Sequence, residues 1–303
     1  PPRPQLITDF TGYNTSYCPD PLQTRFNDDE GPAPDPSSLG LHWTSDLALE
    51  ATLEARDASG SALFELVEAG AHLQCRIDIA TGKATLAIDQ LPKFTATADT
   101  PIRGVGSWSV RFANVDDRLL LWVDDHPIEF DAPTEFALSE ENLPTSDDLA
   151  PVSIGADGAD LHVSHLRVLR DVYYIATDKN DAGRWSALSD YSPTDHYAGM
   201  SRQALAEFMS DPARWGVMRG RRKVEFTLGP DQFFLLGDNS PRSQDGRLWN
   251  DGWFVDRGLI VGKALFVYWP HAWETPYSFS VRAFGRELSL PFYPNFRRMG
   301  AIR

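Results

Sequence analysis

A mainly β, antiparallel fold is what this sequence predicts, and three observations carry the prediction. Between about residue 5 and residue 175, apolar residues alternate with a period of two in run after run. Turn-forming residues separate those runs at short intervals, and hardly any helical spacing interrupts them. Together these features describe an antiparallel sandwich.

The elements follow in order. "DLALEATLEA" places Leu47, Leu49, Ala51, Leu53 and Ala55 on one face of a strand. "LQCRIDI" repeats the alternation with Leu73, Cys75, Ile77 and Ile79, and "ATGKATLAI" reads as a turn through Gly82 and a returning strand. "SWSVRF" aligns Trp108, Val110 and Phe112, and "RLLLWVDDHPIEF" reads as a strand, a turn at Asp124–Asp125 and a short edge carrying Pro127. "LHVSHLRVLRDVYYI" closes this region. Next, "SPTDH" offers capping residues, and "MSRQALAEFMS" spaces Met200, Leu205, Phe208 and Met209 helically, with Pro212 marking the end. From Lys223 strands resume as "KVEFTL", a "GPD" turn, "QFFLLG" and, after a polar loop, "GLIVGKALFVYW". These later strands are apolar at successive positions, so burial on both faces is expected. The domains are therefore expected at 1–175 (sandwich), 176–222 (connector with a short helix) and 223–303 (a second β unit).

Bulk composition narrows the function. The chain has 303 residues, 42% of them hydrophobic, and a formal net charge of −15. That length suits two domains. The acidic balance argues against nucleic acid and against attraction to anionic lipid, both of which call for clustered Lys and Arg. No apolar run reaches the roughly 20 residues of a membrane helix; "LIVGKALFVYW" is short and carries Lys263. The chain opens on "PPRPQ" with neither Met nor a signal peptide and reads as part of a longer protein. Of the two cysteines, Cys75 sits on an apolar face and reads as a buried small hydrophobe; a Cys18–Cys75 disulfide has no support from spacing.

"GSWSVRFANVDDRLLLWVDDHPIEFD" followed by "VSIGADGADLHVSHLRVLRD" resembles the laminin-G or concanavalin A-like jelly roll, with Asp124–Asp125 where a glycine is common. The resemblance implies a jelly-roll sandwich; members of that superfamily bind sugars, proteins or calcium, or nothing known, and fold does not choose among these. Asp116, Asp117, Asp124, Asp125 and Asp157 are oxygen donors for calcium, but solvated turn carboxylates are the expected reading. His162 and His165 fail as a metal pair, because successive strand residues alternate and their side chains are expected on opposite faces.

The polar stretch "GDNSPRSQDGRLW" has a more specific likeness. "FFLLGDNSPRSQDGRLW" with "VDRGLIVGKALFVYWP" resembles the last conserved box of bacterial type I signal peptidases, approximately G-D-N-x-x-x-S-x-D-S-R-x-W/F and then V-G-[KR]-A. Agreement covers Gly237, Asp238, Asn239, Ser243, Asp245, Arg247 and Trp249, then Val261, Gly262, Lys263 and Ala264. Gly246 departs from the usual Ser, and Ser240-Pro241 stands where Arg-Asp is common; the overall form looks like the planctomycete-type branch. The resemblance implies the C-terminal part of a signal-peptidase-like β fold, with the jelly roll as an insertion.

It also implies a serine nucleophile with a lysine base, a pairing that works near neutral pH only when burial or nearby positive charge lowers the lysine pKa. Ser243 would orient that lysine amine. Asp245 and Arg247, at i and i+2, would form a charge-assisted pair fixing the loop, and Asp238 and Asn239 would cap and shape the turn. The nucleophile and base themselves are not evident. "GMSRQ" around Ser201 does not match the S-M-x-P-T motif, and Lys223 in "RRKVEF" reads as a surface residue at a strand start. Both groups are expected upstream, which makes this chain alone inactive. No cofactor and no metal are implied. The implied partners are signal-peptide-bearing preproteins, the cytoplasmic membrane through an N-terminal anchor outside this sequence, and a glycan or envelope protein for the sandwich. The implied location is the extracytoplasmic face of the bacterial cytoplasmic membrane. Two alternatives stand beside this: a non-catalytic lectin-like module on a degenerate peptidase scaffold and, ranked last, a hydrolase using Ser243 as nucleophile.

Overall fold

The computed structural model describes residues 3–10, 39–138, 143–181, 190–191, 202–237, 243–268, 272–283, 286–294, 296 and 299–302. Backbone alone is described for 272–294 within that set. The chain divides into two units. One comprises Pro1–Asp9, His42–Tyr173 and Tyr191–Arg221, and the other Phe10–Leu41, Tyr174–Asp190 and Arg222–Arg303. The residues read as a connector thus divide between them.

The first unit is the sandwich. After β1 (Thr8–Phe10) and β2 (Leu39–Trp43) come β3 (Leu47–Ala55), β4 (Ser61–Glu68), β5 (Ala71–Asp78), β6 (Lys83–Ile88), β7 (Thr95–Asp99), β8 (Gly106–Asn114), β9 (Leu119–Val123), β10 (His126–Pro127), β11 (Val152–Asp157) and β12 (Leu161–Arg170). They form two five-stranded antiparallel sheets, β10-β9-β8-β3-β12 and β11-β4-β5-β6-β7. The period-two faces explain why two sheets form. Leu49, Leu53, Val110 and Phe112 from one sheet and Phe64, Leu73, Cys75, Ile77 and Leu86 from the other are fully removed from water in one shared core. Each such side chain contributes about 1.5–3 kcal/mol through burial. Cys75 lies in that core as a free thiol, pushed up to about 12 by its burial; Cys18 lies outside the described residues.

The hairpin turns use aspartate where glycine is common. Asp116–Asp117 and Asp124–Asp125 have φ of 50°, 57°, 50° and 62°, the left-handed pair of a two-residue primed turn. Asp tolerates that conformation better than most residues, and Asp124 is further held by accepting the Ser109 N–H from the facing strand at 2.8 Å. Among the described residues no group of three or more His, Cys, Asp or Glu is arranged to hold a metal ion. A third turn is held from a distance. The buried Asp148 carboxylate accepts the N–H groups of Ala69 (2.9 Å) and Gly70 (3.0 Å), while capping its own short 3-10 helix with Thr145.

One strand departs from regularity. The register of β12 against β3 shifts between Ser164 and Arg167, and His165 has φ 51°. This bulge turns His165 onto the outer face, with Nδ1 3.4 Å from Thr52 Oγ1, the face on which His162 pairs opposite Glu54. The expectation that the two histidines face opposite ways is therefore corrected: it assumed strict alternation through a segment that carries an extra residue.

Helix α1 (Arg202–Met209) forms where the helical spacing lies and buries Leu205, Phe208 and Met209; Met200 lies outside the described residues. Asp211 caps a following 3-10 helix, Pro212–Met218, with Pro at its start. Trp215 closes the piece by donating its indole N–H to the Phe208 carbonyl at 3.0 Å. In the same unit, buried Asp9 accepts the His42 backbone N–H at 2.9 Å and approaches its Nδ1 at 2.7 Å, while Tyr173 stacks on the imidazole.

The second unit has shorter pairings: β13 (Gln232–Phe233) with β14 (Val255–Asp256), β15 (Phe266–Val267) with β18 (Gly300–Ala301), and a long hairpin of β16 (Ala272–Ala283) and β17 (Arg286–Pro294). Long strands buried on both faces over 223–237 and 258–268 do not form. Leu259, Val261, Leu265, Phe266 and Tyr268 are all exposed. A strand forms only where a neighbour takes its N–H and C=O groups, and among the described residues only the two-residue stretches of these runs find one.

Candidate functional site: the 237–249 loop

Asp245 and Arg247 come together, and the Ser243 side chain lies beside Gly237; Asp238 and Asn239 lie outside the described residues. Their support is a small aromatic platform. Phe226 and Phe234 meet at 4.7 Å between ring centroids, Trp253 approaches Phe226 at 6.1 Å, and the Trp253 indole N–H donates to the Thr227 carbonyl at 3.0 Å. Asp231 and Arg257 are tied twice, by backbone at 2.8 Å and by side chains at 2.6 Å. The loop's ends are thereby fixed by contacts made before and after it in sequence.

Asp245 is the hub. Its Oδ1 accepts the Arg247 N–H at 3.3 Å and caps the short 3-10 helix Gly246–Leu248, and its Oδ2 accepts the Gly237 N–H at 3.0 Å. Arg247 grips both oxygens, Nε to Oδ1 and NH2 to Oδ2, each at 2.8 Å. Both side chains are buried, at 6% and 4% exposure, so this is a water-excluded bidentate pair. The pairing expected between i and i+2 is present, but its geometry is corrected. The two residues are joined through a helix cap and not along one side of an extended chain, because Asp245 prefers to satisfy the N–H groups of the turn that follows it.

Burial alone would raise the Asp245 carboxyl, but the Arg247 and Gly237 donors together outweigh it and hold the carboxyl below its ordinary value. Arg247 donates further from NH1 to the Ile175 carbonyl at 3.1 Å and lies 5.2 Å above the Tyr174 ring. Tyr174 and Ile175 had no sequence signal for this role, being read as the end of the sandwich.

Gly237 and Gly246 are dictated by space. A Cβ on Gly246 would lie 2.8 Å from the Trp253 carbonyl and 3.0 Å from the Phe234 ring, and the Gly246 N–H donates to the Leu235 carbonyl at 3.0 Å. A Cβ on Gly237 would collide with the half-buried Ser243 side chain. The departure at Gly246 from the usual Ser thus has a local cause: no side chain fits. Beside the loop Gln244, Leu248, Trp249, Asn250, Asp251, Gly252 and Phe254 line an open cleft of about 670 Å³. Lys223 is exposed, as expected of a surface residue, but no strand starts there.

The comparison with known families bears on this loop. Residues 194–269 match the family described as signal peptidase, peptidase S26. The match covers about a quarter of the chain and contains Ser243, Asp245, Arg247 and the Val261–Ala264 stretch, so it supports a signal-peptidase likeness for this segment. No curated protein matches the chain. Solved structures similar to the chain include the carbohydrate-binding module CBM66 from Bacillus subtilis, at 12% identity, covering 41% of this chain and 74% of that one with a TM-score of 0.29. They also include galectin LEC-6 from Caenorhabditis elegans (12% identity, 44% and 93% coverage, TM-score 0.28) and sheep galectin-11 in complex with glycerol (12%, 44% and 95%, TM-score 0.30). Likeness at that level carries no functional weight; the mainly β, antiparallel fold rests on the two sheets themselves. Among the described residues no helix is long and apolar enough to cross a membrane.

Proposed function

We propose that this chain is the extracytoplasmic part of a signal peptidase I-like serine endopeptidase that cleaves signal peptides from exported preproteins, with serine nucleophile and lysine base supplied by sequence outside these 303 residues. The observation that carries the reading is the buried Asp245–Arg247 fork, which pins Gly237 and the Ser243 segment inside the stretch that matches the signal-peptidase family. On this reading Ser243 is a positioning residue that accepts or donates a hydrogen bond at the lysine amine, aiming its lone pair at the nucleophile. Asp238 and Asn239 shape the turn before it, and Asp245 and Arg247 keep it from moving. The site works at the outer face of the cytoplasmic membrane, reached through an anchor outside this sequence, and needs no cofactor. The sandwich is an accessory module that binds an envelope glycan or protein.

Incubating a signal-peptide-bearing preprotein with these 303 residues, and separately with the protein extended through the preceding coding sequence, tests the proposal. Cleavage is expected only with the extended protein. Cleavage by the 303 residues alone would move the nucleophile into this chain, and absence of cleavage in both would leave the binding module as the function.

A further inference from the structure

On the outer face of sheet β10-β9-β8-β3-β12, one cross-strand row has an unusual composition. Trp122 pairs with Arg111, Arg111 with Glu50, and Glu50 with Arg167, so four adjacent strands present an aromatic, a cation, an anion and a cation in line. The row is already assembled. Arg111 Nε donates to Glu50 Oε1 at 2.6 Å, Arg167 NH1 lies 3.2 Å from Glu50 Oε2, and the Arg111 guanidinium sits 5.6 Å from the centre of the Trp122 ring. With Ser109 and Asp125 these residues line a recess of about 210 Å³.

The chemistry of the row selects a ligand. Each Glu50 oxygen is engaged once in the contacts above and keeps acceptor capacity, while Arg111 has spent its Nε–H and retains its two amino groups. Acceptors and donors thus alternate within one side-chain spacing, which matches a vicinal diol: each hydroxyl donates to the carboxylate and accepts from a guanidinium. Charge is balanced locally, since Asp125 stands 4.0 Å from Arg111 opposite the pair of cations. The recess therefore has no excess of positive charge to attract an anion, and a neutral polyhydroxylated ring gains most from it. Mutual ion pairing holds the side chains before any ligand arrives, so little rotamer freedom is lost on binding. Trp122 supplies an apolar ring surface beside the polar groups.

We propose that the Trp122–Arg111–Glu50–Arg167 row is a binding site for a neutral glycan, recognised through a vicinal diol. This rests on the reading of the sandwich as a binding module and gives that module its site and ligand class.

The test follows the Trp122 indole N–H resonance, assigned with Trp122→Phe, in the full 303-residue chain. The titrants are cellotetraose, xylotetraose, mannotetraose and, as the anionic control, tetragalacturonic acid. At least one neutral tetrasaccharide should shift that resonance saturably. Trp122→Ala and Glu50→Gln should each weaken binding by about tenfold, the loss of one stacking or charge-assisted contact. Should Trp122→Ala fail to fold, Glu50→Gln alone decides, since it preserves the side-chain shape while removing the charge and replacing one acceptor oxygen by a donor amide. Saturable binding that leaves Trp122 unmoved and survives Glu50→Gln would overturn this site while keeping the module. A response to tetragalacturonic acid alone would overturn the neutral-diol recognition, and no response to any of the four would overturn both.

Discussion

The two units handle buried charge in opposite ways. In the sandwich Glu68 is almost fully buried; Asn114 donates to it at 2.7 Å, Ser45 also bonds to it, and Asp46 and Asp117 stand near. Its burial, reinforced by those carboxylates against the two hydrogen bonds, pushes it up to about 7, and burial likewise raises Asp46 to about 6. In the C-terminal unit Asp245 is just as hidden but meets a guanidinium fork, and its carboxyl is held down. A large apolar core can tolerate a carboxyl by keeping it protonated. The C-terminal unit instead keeps the charge and uses it as the bolt of the 237–249 loop.

That contrast predicts where each unit breaks, and the largest effect is expected at the bolt. Arg247→Ala leaves Asp245 buried and uncompensated, so it should destabilise the C-terminal unit by about 3–5 kcal/mol. Arg56→Ala, at a half-exposed pair with Glu54 in the sandwich, should cost no more than about 1 kcal/mol. Urea unfolding of both variants, followed by tryptophan fluorescence, measures the gap; equal costs would break the comparison.

The next effect is a pH dependence of opposite sign in the two units. Glu68 has a folded pKa above its unfolded one, so the folded state holds a proton that the unfolded state has released. Its contribution is fully present below about pH 4.5 and is lost as pH rises to about 7, a change of about 3 kcal/mol. Asp245 has a folded pKa below its unfolded one, so its contribution is present above the ordinary carboxylate range and is lost as pH falls below it. Glu68→Gln should therefore flatten the decline in sandwich melting temperature between pH 5 and 7.5, leaving the acid limb of the C-terminal unit unchanged. A wild-type slope in the variant would mean that Glu68 is not the group involved.

The smallest effect is at a turn. Asp125 sits at φ 62° on an exposed position, a conformation glycine adopts without cost. Asp125→Gly should stabilise the sandwich by up to about 1 kcal/mol, read as a rise in melting temperature. A loss of stability would show that the aspartate contributes more through its side chain than it costs through its backbone.

How much of this the sequence made legible follows the same division. The sandwich faces were readable because alternation and turn chemistry are local, and Leu49, Phe112, Leu73 and Ile77 lie where the period places them. His165 escaped because a bulge adds a residue without changing composition. In the C-terminal unit the apolar runs were legible but their burial was not, since "GLIVGKALFVYW" says nothing about whether a neighbouring strand exists. Asp245 and Arg247 were singled out by the likeness of their stretch to the signal-peptidase box, while Tyr174 and Ile175, more than 70 residues before Arg247, complete the site through contacts no local pattern announces.

The central claim is that the 237–249 loop aims a base it does not contain. Its most direct test is the pH profile of preprotein cleavage by the extended protein carrying Ser243→Ala. The account predicts kcat/KM lower by roughly 10²–10⁴-fold, on the scale of positioned acid–base assistance, with the ascending limb of the profile displaced, partial recovery in Ser243→Thr, and an unchanged melting curve. An unaltered rate and profile in a folded Ser243→Ala protein would contradict it.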